Sequence, residues 1–255
     1  MSEQSDLWAK RSPAKQVVRD RIWAALEDSG IAVGPARNTI PNFAGADTAA
    51  FRMVQTDAWQ AAKTVKCNPD PPQIPLRLRA LYEGKVLYCP VPALTRDFPY
   101  LEIDPAELEK KGISFELAAT SEGYMQHGRR IGFEDVPQLD FCIVGSVAVT
   151  RSGGRIGKGA GFADLETGIF RELGTIRPET PMVTLVHSTQ VVEEDQMTMM
   201  AHDSPLDMFA TEAELVVTGN AAPRPRGVDW DQVQPDQFRD IPFLAALRDR
   251  MGAGA

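Results

Sequence analysis

The sequence predicts an α/β layered domain with a largely parallel sheet, and three observations carry that prediction. Short apolar runs without strict alternation, Phe141–Val149, Met182–His187 and Leu215–Thr218, read as strands covered on both faces. Helical patterns lie between several of these runs, which is the order that parallel strands require. The chain has 255 residues, 43% hydrophobic and 24% charged, enough for a sizeable core in one large domain or two small ones. That balance excludes wholesale disorder.

Taken in order, the first element is a helix from Pro13 to about Ser29, where Val17, Ile22, Ala25 and Leu26 recur at helical spacing and Gly30 supplies the stop. Lys15 and Arg19, four residues apart, share its other side. From Ile31 to Ala44 the density of Pro, Gly and Asn predicts a structured loop. A second helical stretch covers roughly Asp47 to Val65. The Pro-dense connector Asn68–Pro75 precedes a short buried strand, Lys85–Pro90, ended by proline. Asp104 caps a helix to about Lys110, with Pro105 at its first position and Glu107 three residues after the cap. The strand prediction is strongest for Phe141–Val149. Beyond Asn220 come four prolines, the last of them Pro242 at the start of a short amphipathic helix around Ile241–Met251. The reading therefore divides the chain into an α/β domain, 1–219, and a peripheral appendage, 220–255.

Charge and cysteine usage narrow the function classes. Lys and Arg number 27 against 35 Asp and Glu, a net charge of -8, which argues against a nucleic-acid partner or a polybasic membrane contact. No apolar run approaches the ~18–20 residues that span a bilayer, and Met1–Asp6 lacks the layout of a signal peptide, so a cytoplasmic location is expected. Cys67, Cys89 and Cys142 show no CxxC spacing, hence neither a zinc knuckle nor a disulfide framework. His127, His187 and His202 share no close metal-ligand spacing and read as structural or substrate-edge residues. Nothing in the sequence fixes the oligomeric state.

The segment Arg151–Glu166 concentrates the chemistry. Gly153, Gly154, Gly157, Gly159 and Gly161 let the backbone turn tightly and bring several N–H groups toward one anion. Arg155 and Lys158 add positive charge, and the run leads into a predicted helix whose N-terminus favours phosphate. The order matches neither a Walker A loop nor Gly-x-Gly-x-x-Gly. Read alone, it is either a polyphosphate cradle or a solvated glycine-rich loop. Likewise Lys15 and Arg19 suit a solvated helix face as well as a ligand, Asp164 suits a helix start, and Asp203 suits a turn or cap.

The stretch Arg155-Ile-Gly-Lys-Gly-Ala-Gly-Phe-Ala-Asp164 resembles the nucleotide signature of the 5-formyltetrahydrofolate cyclo-ligase (methenyltetrahydrofolate synthetase) family, Arg-Leu-Gly-x-Gly-x-Gly-Tyr-Tyr-Asp. Three further stretches are similar to that family in the same order: Lys15-x-x-x-Arg19, Gly145–Thr150, and Gln190 followed by His202–Glu212. Ile40–Ala46, Lys66–Gln73 and Val144–Val149 are similar to its methenyltetrahydrofolate synthetase domain-containing branch. The resemblance implies a three-layer α/β/α fold with a largely parallel mixed sheet, shared with CoA transferases and glucosamine-phosphate isomerases. It also implies ATP, Mg²⁺ and a tetrahydrofolate derivative as ligands, with conversion of 5-formyltetrahydrofolate and ATP into 5,10-methenyltetrahydrofolate, ADP and phosphate. By the same resemblance Lys15, Arg155 and Lys158 are catalytic. Lys15, Arg19, Arg155, Gly157, Lys158, Gly159, Gly161 and Phe162 bind nucleotide, and Asp164 and Asp203 bind the metal.

The pterin half departs from the family pattern. Paired aromatics before the metal Asp become Phe162-Ala163, an acidic-Thr-Glu-Glu stretch becomes Asp47-Thr-Ala-Ala50, and Trp-x-Ile-Pro-x-Pro is replaced by a segment carrying Tyr124, His127, Arg129 and Arg130. Two alternatives to ligation follow. One is a folate or small-molecule hydrolase or isomerase on the same fold, and the other is a non-catalytic nucleotide-responsive protein.

Overall fold

Side-chain alternation in one short strand divides the molecule into its layers. In the computed structural model, which describes residues 11–219 and 223–252, strand β1 (Thr64–Cys67) sends Val65 and Cys67 into one apolar layer. Lys66, between them, faces the other side, because successive side chains of a strand point to opposite faces. The same division holds in β2 (Val86–Pro90) and β3 (Tyr100–Ile103). Leu87, Cys89, Leu101 and Ile103 join the first layer, and Tyr88 and Tyr100 the second.

Among the described residues the main sheet has eight strands in the order β10-β9-β8-β5-β1-β2-β3-β4, completed by β4 (Arg129–Ile131), β5 (Phe141–Ile143), β8 (Met182–Leu185), β9 (Met208–Ala210) and β10 (Leu215–Val217). The five central strands, β9 to β2 in that order, run parallel, and β10 at one edge and β3 and β4 at the other are added through antiparallel pairings. One face is covered by α2 (Ala46–Met53), α3 (Asp57–Ala61) and α4 (Ile74–Tyr82), which contribute Ala49, Trp59 and Leu76 to the first layer. Leu165, Ile169 and Phe170 of α8 (Phe162–Glu172) cover the other. The predicted three-layer α/β/α arrangement with a largely parallel mixed sheet is therefore present.

Helix α1 (Pro13–Asp28) lies where predicted and packs Val18, Ile22, Trp23 and Leu26 onto Ile40 and Ile156. The loop after it is pinned by an isolated bridge between Ala32 and Phe43. Three expectations need correction. The stretch from Asp47 to Val65 is two helices and the start of β1, because the chain must leave the helical layer to reach the centre of the sheet. The Phe141–Val149 run is divided: β5 ends at Ile143, and Ala148–Val149 form β6, which pairs with β7 (Arg155–Ile156) in a separate hairpin. At Gly145, between them, an added Cβ would lie 2.5 Å from Asp70 Oδ2, so the backbone passes where no side chain fits. Finally, β10 is an edge strand with Val217 72% exposed, not one covered on both faces.

Residues from the 223–252 stretch also pack onto the domain. Helices α9 (Pro235–Asp240) and α10 (Leu244–Gly252) follow one another, and Ile241, Leu244 and Leu247 are buried in the layer that contains Tyr100, Phe133 and Phe170. Cys67, Cys89 and Cys142 are buried free thiols. No helix among the described residues is long and apolar enough to cross a membrane.

Candidate active site

A cavity of about 260 Å³ opens beyond the carboxyl ends of β1, β2 and β5 and is walled by Asn68, Pro69 and Asp70, by Pro90 and Val91, and by Gly145. In parallel α/β sheets this is where ligands bind, beside the strand from which connections leave in both directions. Here that strand is β1, flanked by β2 and β5. The glycine-rich turn supplies a second wall. Gly159 and Gly161 have φ values of 117° and 76°, conformations that only glycine adopts without strain, and Gly161 is the N-cap of α8. The first-turn amides of a helix lack internal partners, so this end of the cavity suits an anion.

All ten residues singled out from the sequence line this one cavity: Lys15, Arg19, Arg155, Gly157, Lys158, Gly159, Gly161, Phe162, Asp164 and Asp203. Two of the four cations, Arg155 and Lys15, pair with the two carboxylates. Arg155 Nη2 lies 2.7 Å from both carboxylate oxygens of Asp164, while Nη1 donates to the Gly145 carbonyl at 3.0 Å. Burial alone would raise the Asp164 carboxyl; Arg155, helped by the Ser204 amide at 2.9 Å, holds it below the usual carboxylate range. Lys15 forms an ion pair with Asp203, whose Oδ2 also accepts from the Met200 amide at 2.7 Å. Arg19 donates from Nε to the Gly157 carbonyl at 2.7 Å, and burial lowers its pKa to about 10.

Second partners hold these groups in place. Thr167 Oγ1 lies 3.0 Å from Ser204 Oγ, which accepts from Arg171 at 2.9 Å, so the turn carrying Asp203 is tied to α8. Arg77, fully buried, donates to the carbonyls of Asn68 (2.6 Å), Pro69 (3.2 Å) and Ala119 (2.6 Å) and fixes the Asn68–Asp70 wall. Burial pushes the Asp70 carboxyl up, and the positive charges of Lys158 and Arg77 oppose that.

Sequence reasoning missed Arg11, Asn68, Asp70 and Glu166 among the cavity residues, together with the 227–237 segment, which supplies Gly227, Val228 and Gln237. Gln237 Nε2 donates to the Ala160 carbonyl at 3.0 Å and so braces the glycine turn. A signal for Asn68 and Asp70 was available in the Pro-dense connector immediately after a strand. His202 lines the cavity 3.8 Å from Asp203 Oδ1, whereas His187 caps a 3₁₀ turn at Thr189. The departures from the family pattern are now placed. Ala163 is on the cavity wall, Ala49 and Ala50 are fully buried in the first apolar layer, and Tyr124 donates to the Pro90 carbonyl at 3.2 Å. Among the described residues, no three His, Cys, Asp or Glu side chains gather as a self-sufficient metal site.

The model of the 5-formyltetrahydrofolate cyclo-ligase family matches residues 11–212. The methenyltetrahydrofolate synthase domain-containing protein of Mus musculus is 38% identical over 239 residues, covering 93% of this chain and 64% of that protein. Its Homo sapiens counterpart is 35% identical over 239 residues, covering 93% and 62%. The chain thus spans a little over three fifths of the length of these curated relatives. An NMR structure of Aquifex aeolicus 5,10-methenyltetrahydrofolate synthetase superposes with a TM-score of 0.51 over 84% of this chain and 95% of that one, at 20% identity, a likeness of fold. With the family model covering most of its length, the chain belongs to the 5-formyltetrahydrofolate cyclo-ligase family.

Proposed function

We propose that this protein is an enzyme that uses ATP and Mg²⁺ to cyclise a formylated tetrahydrofolate, with 5-formyltetrahydrofolate as the first substrate to test. The observation that carries the reading is the convergence of Lys15, Arg19, Arg155 and Lys158, the glycine turn and two carboxylates on a single cavity. In such a reaction the formyl oxygen attacks the γ-phosphorus and ADP leaves. N10 then attacks the activated carbon, and that oxygen departs with inorganic phosphate. Phosphoryl transfer asks the protein mainly for positioning and charge neutralisation, which cations and oriented amides supply.

In this reading Lys15 and Arg155 hold phosphate oxygens, Arg19 secures the glycine turn and adds charge, and Lys158 faces the transferred group. Asp203 and Asp164 fit Mg²⁺, which takes hard oxygen ligands from one or two carboxylates and completes its shell with phosphates and water. Held there, Mg²⁺ would supply charge neutralisation for the transferred phosphoryl group. Both carboxylates are held at the cavity by cationic side chains, Asp203 by Lys15 and Asp164 by Arg155. Phe162, Pro90 and Val91 provide apolar wall for a ring system.

The test is purified protein with Mg-ATP and 5-formyltetrahydrofolate, following methenyl product by absorbance and ADP by a coupled assay. The reading expects both signals in equal amounts and neither without ATP. Folate turnover without nucleotide would favour a hydrolase or isomerase, for which Ala163 in place of an aromatic is the supporting observation. Mg-ATP binding with no turnover of any folate would favour a nucleotide-responsive protein.

A further inference from the structure

One buried carboxylate on the cavity is not accounted for by phosphate or metal chemistry. Glu166 is 2% exposed yet lines the cavity from α8. Lys66, fully buried on β1, places its Nζ 2.9 Å from Glu166 Oε2, and the Tyr100 hydroxyl donates to the same oxygen at 2.9 Å. The Lys66 ammonium also donates to Asn68 Oδ1, so its position is fixed from two sides. Both partners meet Oε2, leaving Oε1 with acceptor capacity to offer. The carboxylate is therefore immobilised and its charge is balanced from behind. Such a group has little need of a second cation, but it can accept a hydrogen bond strongly from a neutral N–H donor.

The surroundings say what carries that donor. Pro90 pairs with Tyr100, whose hydroxyl meets Glu166, and Phe162 stands one helical turn before Glu166 on α8, so apolar wall adjoins this carboxylate, whereas Arg155 and Lys158 belong to the glycine turn. A flat, uncharged heteroaromatic ring with an amino or amide N–H edge suits the first region, as a polyphosphate suits the second. We infer that Glu166 is a specificity-determining residue that accepts a hydrogen bond from the 2-amino-4-oxo edge of a pterin-type substrate, with Lys66 and Tyr100 as its positioning residues. The inference rests on the folate reading above and deepens it. The acidic stretch of the family pattern is here Ala49-Ala50, buried in the opposite layer, and Glu166 supplies a carboxylate from the other side of the sheet.

Calorimetric binding of 5-formyltetrahydrofolate and of its 2-desamino-2-methyl counterpart, in the presence of Mg²⁺ and a non-hydrolysable ATP analogue so that no turnover occurs, tests this directly. Wild-type protein is expected to bind the amino compound about 10- to 100-fold more tightly, the range for a hydrogen bond to a charged acceptor. Glu166→Gln keeps an oxygen for Lys66 and Tyr100 and should reduce that ratio to near unity. Tyr100→Phe keeps the carboxylate and should retain most of the discrimination. Mg-ATP affinity serves as the folding control, and the wild-type comparison stands even if a variant does not fold. Equal binding of the two compounds by wild type, or a ratio unchanged in Glu166→Gln, overturns the inference and leaves the folate reading standing. Mg-ATP binding with no affinity for either folate overturns both.

Discussion

The Arg155–Asp164 contact is the residue-scale feature with the clearest thermodynamic consequence. Both side chains are largely withdrawn from water, with 3% and 16% of their surfaces exposed, and removing one partner leaves a buried charge without compensation. Asp164→Asn should therefore destabilise the protein by roughly 3–5 kcal/mol at neutral pH. The pH dependence follows from the lowered carboxyl pKa. The pair's contribution is complete above the ordinary aspartate value near ~4 and is lost as pH falls through the lower folded value. Urea denaturation of wild type and variant should show a gap that is constant from pH 7 to 5 and narrows below pH ~4. A gap that widened on acidification would contradict the assignment. At this scale the sequence was most informative where chemistry is local: the glycines, Arg155, Lys158 and Asp164 lie within one turn and helix start. Glu166 was not legible, although it is two residues beyond Asp164. Its environment comes from Lys66 and Tyr100 on two strands distant in the chain.

Among the elements, α8 and its preceding turn do most to shape the cavity. Gly161 caps the helix with φ 76°, and an added Cβ there would sit 3.5 Å from Gln237 Nε2, ordinary contact distance. Conformation, not crowding, is thus what Gly161→Ala would test. The left-handed backbone should cost about 1–2 kcal/mol, and the displaced amides should weaken Mg-ATP binding more than they lower the thermal midpoint. An alanine variant with wild-type ATP affinity would show that the turn does not hold the nucleotide. Elements that the sequence announced were those with strong periodicity or long apolar runs, α1, β2, β5 and β8. Strands β3, β4 and β9 were missed because none sits in a long apolar run, as β5 and β8 do, and each takes its strand character from pairing with a neighbour. The apparent continuity of Phe141–Val149 misled for a related reason. Apolar composition does not reveal that Gly145 must pass between Asp70 and Ile40.

For the whole molecule, the decisive fact is that the cavity is closed by pieces from across the chain: α1, the loops after β1, β2 and β5, the α8 turn, the His202–Asp203 turn and the 227–237 segment. Stability and ligand binding should therefore be linked through the C-terminal helices. Leu244, fully buried against the second layer, anchors them. Leu244→Ala should cost about 2–5 kcal/mol and also reduce Mg-ATP affinity, whereas a loosely attached appendage would give under ~1 kcal/mol and no change in affinity. Denaturation and calorimetry on the same variant distinguish these outcomes. The α/β class was legible because parallel strands must be both apolar and separated by helices. The anchoring of the C-terminal helices was not, since Ile241, Leu244 and Leu247 form too short a pattern to show what they pack against.

The central claim is that this cavity activates a formyl oxygen with the γ-phosphoryl group of ATP, and isotope transfer tests it most directly. Protein, Mg-ATP and 5-formyltetrahydrofolate labelled with ¹⁸O in the formyl group should release inorganic phosphate carrying one ¹⁸O per methenyl product formed. Label found in formate or in water, with phosphate unlabelled, would contradict the claim.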